Sequence, residues 1–283
     1  MPAPGKGGPA ILAVVSEADA IAATSIPATA ATIAADLRAL GLEAGMTVMT
    51  HSSLSALGFV VGGAQAVVTA LLDVVGETGT LMMPTHSGAL SDPSNWEQPP
   101  VPESWWPTVR DQMPAFDQDL TPTRSMGVIV DCFRQAPGVQ RSDHPTVSAA
   151  ALGPNADALV TGHELNDRFG ETSPQGRLYA LDGHVLLLGV DHGNNTSLHL
   201  SEARSSLTEI VTDGAPVTVD SEPRWVEVAH LDDDSDDFAE IGEAFAATGD
   251  QTRGVVGIGT ARLCSARAIV DFGVEWMLVH RAS

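Results

Sequence analysis

Residues 189–202 read GVDHGNNTSLHLSE, gathering two histidines, an aspartate, a glutamate, a threonine and two asparagines between hydrophobic runs. Such a mixture allows a metal site, a general base with its supporting groups, or a polar entrance to a helix. The run HVLLLGV before it reads as a fully buried strand, and NTSLHLSEARSSL as the helix behind it. Reactive groups in open α/β sheets gather beyond the carboxyl ends of such strands. Asn195 or Thr196 is placed to cap that helix, and Thr196, His199 and Glu202 then fall on roughly one side of it. A carboxylate so placed orients an imidazole and raises its basicity. A metal would draw on Asp191, His192 and His199, but that spacing across a helix start matches no compact ligand motif such as H-E-x-x-H. The base reading is preferred and a helix cap is compatible with it, while the share taken by His192 stays open.

Two further stretches could take part. HSSLSALGFVVGG, His51 to Gly63, joins a strand to a helix, and its small residues and Gly-Gly start leave backbone N–H groups free to cradle a phosphate. It has neither the Walker lysine nor the G-x-G-x-x-G spacing, so a tight structural turn fits equally well. RSDHPTVSAAALG sets Arg141, Asp143 and His144 before Pro145, a polar turn read as structural and as a neighbour of the site.

The elements that must hold these residues follow a βα order. ATAATIAADLRALG and GGAQAVVTALLDVVG carry helical apolar spacing; MTVMTH and TLMMP read as strands. SMGVIVDCFRQAPG and GPNADALVTG read as helices, the latter with Pro154 near its first turn. APVTVD and RWVEVAH alternate strictly, an antiparallel signature, before DDDSDDFAEIGEAFAATG returns to helix behind a solvated acidic loop, 232–237. The expected fold is α/β, a mainly parallel central sheet flanked by helices with a smaller antiparallel C-terminal portion. Residues 1–24 are expected to be a flexible N-terminus and 25–283 a single domain. Within it, an insertion at about 87–122 is rich in proline and tryptophan, read either as a lid packed on the body or as a substrate-facing wall.

The 283 residues are 43% hydrophobic, ample for a large core and incompatible with a disordered chain. Fourteen Lys+Arg against 36 Asp+Glu give a net charge of -22, a field that repels nucleic acid and anionic membrane and attracts polycations. Cys132 and Cys264 lie far apart in helix-like apolar stretches, the setting of reduced buried thiols, so a disulfide is not expected and a cytoplasmic location is. No stretch reaches the roughly 18 apolar residues of a membrane span.

Four ordered blocks, HSSLSALGFVVGG, TPTRSMGVIVDCFRQAPGVQRSDHPTVSAAALG, GETSPQGRLYALDGHVLLLGV and NNTSLHLSEA, resemble the aminoglycoside 3-N-acetyltransferases. The likeness runs from about Ser25 to Val279. It implies the antibiotic N-acetyltransferase fold, unrelated to the GNAT acetyltransferases, and transfer of an acetyl group from acetyl-CoA to the 3-amino group of a deoxystreptamine ring, conferring resistance. By resemblance, His51, Ser53, Leu54, Ser55, Leu57 and Gly58 line the CoA channel, joined by Thr85 and Arg124. Thr196, His199 and Glu202 match a T-x-x-H-x-x-E pattern with His199 as base, and His192 remains a second candidate. Asp167, Glu171 and Asp191 are the expected acidic wall for the cationic substrate. No metal, nucleic acid or membrane is expected as a partner, and a homodimer is left open.

An amine must be neutral to attack a thioester, so a base that accepts its proton contributes about 10²–10⁴-fold. Neither cysteine has a flanking His or Lys, which favours direct transfer over an acetyl-cysteine. The competing readings are a same-fold transferase for another amine metabolite, a metal-dependent hydrolase using Asp191, His192 and His199, and a non-catalytic protein that sequesters cationic antibiotics.

Overall fold

Each central strand of this protein is buried on both faces, so the sheet must be covered on both sides. The computed structural model describes residues 16–97 and 99–282. The elements of the first half are α1 (Glu17–Ala23), α2 (Ala30–Leu40), β1 (Thr47–Ser52), α3 (Gly63–Val75), β2 (Thr80–Pro84), α4 (Trp106–Gln112), α5 (Val128–Arg134), β3 (Gln140–Arg141) and β4 (Ala149–Leu152). There follow α6 (Ala156–Val160), α7 (Pro174–Ala180), β5 (His184–Leu188), α8 (Leu198–Ser205), β6 (Ile210–Val219), β7 (Glu222–Leu231), α9 (Phe238–Ala246), β8 (Gln251–Val256), β9 (Gly259–Ser265) and α10 (Ala266–His280).

One sheet takes the order β3-β4-β2-β1-β5-β9-β8. Its centre is parallel, with β1 between β2 and β5, while β4 and β9 run against that centre and turn β3 and β8 back into its direction. The sheet is thus mostly parallel in strand direction, with antiparallel pairings toward both edges. Val48, Leu81, Met83, Leu186 and Leu188 pack on α2, α3 and α5, whereas Met49, Met82, Val185 and Leu187 pack on α6 to α10. Successive side chains of one strand therefore serve two cores, each fully buried aliphatic worth about 1.5–3 kcal/mol.

β6 and β7 form a separate ribbon of ten paired positions, closed by Asp220 and Ser221 at φ 52° and 66°. Positive φ at both corner residues is the two-residue turn whose twist matches a hairpin. This ribbon is the antiparallel portion read from the alternation at 215–230.

Two expectations need correction, and a third is made specific. The flexible N-terminus 1–24 divides: residues 1–15 lie outside the described residues, but Glu17–Ala23 is helical, with Ser16 and Asp19 forming a reciprocal cap. Cys264 lies in strand β9 and not in a helix; burial pushes its thiol up to about 12, so it is no nucleophile. The segment 87–122 contains α4 and is tied down: Arg110 grips Asp92 at 2.9 and 2.7 Å, and Asp213 of β6 accepts from Asp92 N–H and Asn95 Nδ2. No helix among the described residues is long and apolar enough to cross a membrane.

Candidate active site

The carboxyl ends of the parallel strands β1, β2 and β5 open on one side, and the polar stretch of residues 189–202 begins where β5 stops. Gly189, at φ 74°, makes that exit, since a Cβ there would strike Ala56 and the Ser53 carbonyl. A 3-10 turn, His192–Asn194, is capped by Asp191, whose Oδ1 accepts Gly193 N–H at 3.0 Å. Asn195 Oδ1 then accepts Ser197 N–H at 3.1 Å, and Thr196 Oγ1 accepts from Gln175 Nε2 at 3.1 Å. Neither side chain caps α8, contrary to expectation, because each is already engaged.

In the first turn of α8, His199 Nδ1 meets Glu202 Oε2 at 2.5 Å. Glu202 is completely buried, and its other oxygen accepts from Arg281 Nη1 at 2.5 Å and Asp234 N–H at 3.1 Å. The His199 ring stacks on Phe169 at 4.4 Å and meets Phe238 edge-on at 4.7 Å. A carboxylate can only accept, so Nδ1–H donates to it, and in the neutral form of the ring Nε2 holds the lone pair. No hydrogen bond to Nε2 is recorded among the described residues, and the ring lines a chamber of about 420 Å³.

Two arms leave this chamber. A channel of about 690 Å³ shares Ser52, Ser125, Met126, Val190 and Asn194 with it and runs past Ser53, Leu54, Ser55, Gly58, Phe59 and Gly63. Gly63 opens the thirteen-residue α3, so the positive end of that helix dipole faces the channel. An outer cavity of about 430 Å³ shares His86, Ser125, Met126, Val147 and Arg168 with the chamber and is walled by Trp96, Glu97 and Asp213. The segment 87–122 therefore both packs against β6 and lines the outer cavity.

Of the cofactor residues expected, Ser53, Leu54, Ser55 and Gly58 lie together on the channel. Leu57 is fully buried in the core beneath them, Arg124 lines the outer cavity, and His51 faces the chamber. Thr85 lines none of these spaces: it is buried, bonded to Ser148 Oγ at 3.1 Å and to Arg141 Nε at 3.1 Å. His192 is also drawn away from the chamber, its Nε2 at 2.6 Å from Gln251 Oε1 and its Nδ1 at 3.2 Å from Asn195 Nδ2. Burial holds its pKa below the ordinary histidine value, and the protein occupies both of its nitrogens.

The expected acidic wall is largely elsewhere. Asp191 caps its exposed turn, Glu171 pairs with Arg204 at 2.7 Å on the surface, and Asp167 binds Thr172 through N–H and Oγ1 at 2.7 and 2.8 Å. The carboxylates in the cleft are Asp233, Glu97 and Asp213. Burial raises the Asp233 pKa against the opposing pull of Arg168, which stands 3.2 Å away, ion-paired but misaligned for a hydrogen bond. The run 232–237 is thus partly folded onto the site and not simply solvated.

Sequence reasoning missed His86, Phe169, Arg168 and Asp233. Among the described residues, Nε2 of both His51 and His86 is buried without a partner, and burial first, then neighbouring charges, lowers both pKa values to about 3. Both are neutral walls of the chamber at physiological pH. His144, read as structural, accepts Thr146 and Val147 N–H on Nδ1 at 3.2 Å.

A family model described as aminoglycoside 3-N-acetyltransferase matches residues 49–278. The prophage-derived aminoglycoside N(3')-acetyltransferase-like protein YokD of Bacillus subtilis is 45% identical over 259 residues, covering 91% of this chain and 95% of its own. Its crystal structure superposes with a TM-score of 0.92 at 43% identity, over 94% of this chain and 99% of that one. Aminoglycoside N(3)-acetyltransferase VII of Streptomyces paromomycinus is 38% identical over 267 residues, 89% of this chain and 92% of its own. A binary complex of AAC-IIIb with CoASH aligns at TM-score 0.79 and 31% identity, over 89% and 97% of the two chains. AAC-VIa bound to sisomicin aligns at 0.81 and 32%, over 91% and 100%.

Mixed α/β fold and family names together define an acyltransferase. The chain belongs to the aminoglycoside 3-N-acetyltransferase family. Acetyl-CoA is the cosubstrate of that family and the aminoglycoside its acceptor.

Proposed function

We propose that this chain acetylates the 3-amino group of aminoglycosides with His199 Nε2 as general base. The observation that carries the reading is the buried His199–Glu202 pair, 2.5 Å apart, with Nε2 turned to the chamber where channel and outer cavity meet. Acetyl-CoA supplies an acyl carbon activated as a thioester. The channel suits it: Leu54, Phe59 and Val60 offer an apolar wall for the pantetheine arm, and the N-terminus of α3 a positive end for the pyrophosphate. Asp233, Glu97 and Asp213 face the ammonium groups of an acceptor, and the charge of -22 draws it in.

His199 takes a proton from the amine as its nitrogen bonds to the acyl carbon. Glu202 stabilises the imidazolium so formed, and that imidazolium can return the proton to the departing sulfur. Phe169 and Phe238 keep water from the ring. Thr196 serves beside it by orienting Gln175, while His192 supports the turn.

A metal reading would draw on His199, Glu202 and Asp233, whose ligand atoms lie within 4.8 Å of one another. Arg281 and Arg168 already stand against those two carboxylates, and their charges oppose a divalent cation. The reaction belongs in the cytoplasm, where acetyl-CoA is made, and residues 25–283 are read as one catalytic domain. A homodimer stays an expectation that sedimentation decides.

The test is release of free thiol from acetyl-CoA with a panel of aminoglycosides, for the native chain, His199→Ala and His192→Ala. No release with any aminoglycoside overturns the activity. Native turnover in His199→Ala overturns the base.

A further inference from the structure

Arg281 follows the last residue of α10 and lies beyond position 278, where the family match ends. Its Nη1 donates to Glu202 Oε1 at 2.5 Å; Nε and Nη2 grip Asp237 at 2.7 and 2.5 Å, and Nη2 also reaches the Asp234 carbonyl at 3.0 Å. A lone carboxylate as buried as Glu202 would be costly to keep ionised. Arg281 and Asp234 N–H occupy Oε1, which leaves Oε2 for His199 Nδ1. Because Asp237 and the Asp234 carbonyl fix the guanidinium independently, its planar fork sets the carboxylate and does not merely follow it.

We propose that Arg281 is a positioning residue for acetyl transfer, holding Glu202 ionised and aiming its second oxygen at His199. The proposal rests on His199 being the base. In this arrangement the working form of the histidine–glutamate pair carries one proton, on Nδ1. Without the cation, the buried pair binds a second proton more readily. Whether that proton leaves an imidazolium beside a carboxylate or a neutral pair in which Oε2–H donates to Nδ1, Nε2 carries a hydrogen and cannot act as base.

The other groups facing the pair are Asp233, Asp234 and Asp237 from the acidic loop and the start of α9, Arg168 and Asp167 from the loop before α7, His51 in β1 and His86 beyond β2. All of them are retained when Arg281 alone is replaced, so the change in titration reports the guanidinium. The sign is fixed: loss of a positive charge raises the pH at which the pair gives up its second proton.

The experiment is the pH dependence of kcat/KM for thiol release in the native chain, Arg281→Met and Arg281→Lys, with folding followed by circular dichroism. Arg281→Met is expected to move the acid limb upward by about 1–3 pH units, with the KM for acetyl-CoA unchanged. Arg281→Lys keeps the charge without the fork and is expected to hold the limb within about one unit of native. A folded Arg281→Met with the native acid limb overturns the proposal, as does failure of both variants to fold, which makes the residue structural. If His199→Ala keeps the native turnover and acid limb, the base assignment fails instead.

Discussion

His192 and His199 belong to one polar stretch and meet opposite fates. The first lies in a 3-10 turn under α9, where Gly242 leaves room for its ring and Gln251 and Asn195 take its nitrogens. The second sits in α8 with a carboxylate one turn ahead, a relation that helix geometry alone imposes. His199→Ala is expected to lower kcat by about 10²–10⁴-fold with the KM for acetyl-CoA unchanged, as measured by thiol release. His192→Ala is expected to cost about 1–3 kcal/mol in urea unfolding, while kcat per folded molecule stays within a few-fold of native. A larger loss of turnover in the second variant would return His192 to the chemistry.

Elements hold the site by close approach as well as by hydrogen bonds. In α7, Gly176 lies against the carbonyls of Gly170 and Glu171, and that same loop carries Arg168 and Phe169 to the His199 ring. Alanine would improve helix propensity there by about 1 kcal/mol, but a Cβ meeting backbone oxygens forces the loop to shift. Steric conflict wins: Gly176→Ala is expected to destabilise by about 1–3 kcal/mol and to lower kcat through displaced Phe169, read by thermal melting and thiol release together. On the other side, Asp213 of β6 anchors the 87–122 segment through Asp92 and Asn95. Asp213→Ala is expected to raise the aminoglycoside KM by about tenfold, a loss of about 1.4 kcal/mol, with the acetyl-CoA KM unchanged. Equal rises in both constants would show that the segment does not wall the acceptor side.

Across the whole molecule, several histidines are kept neutral by burial. His51 and His86 are held to about 3 and His163 to about 4, against 6.5 for the free side chain, chiefly by desolvation. Below about 6.5 the unfolded chain binds protons that the folded chain refuses, so stability falls as pH drops toward the folded values. Each such group removes up to about 1.4 kcal/mol per pH unit in that window. The urea midpoint is therefore expected to fall between pH 7 and pH 5; equal midpoints would contradict the buried, neutral assignment. Net charge acts at the same scale: with -22 against a polycation, kcat/KM for the aminoglycoside is expected to fall as salt rises.

What depends on neighbours along the chain is legible in the order of the amino acids. Buried runs gave β1, β2 and β5, strict alternation gave the β6–β7 ribbon, and the three-residue spacing of His199 and Glu202 gave the hydrogen-bonded histidine–glutamate pair. The short stretch Ala149–Leu152 is three alanines and a leucine, with little intrinsic strand preference, and becomes β4 because β2 pairs with it. Only the tertiary structure could bring Arg281 across 79 positions to Glu202, fold Asp233 onto the chamber, and turn Asp191 and Glu171 away from it. Local spacing fixes which side chains share a helix face; which charges meet in a cleft depends on how distant elements dock, and no local pattern encodes that.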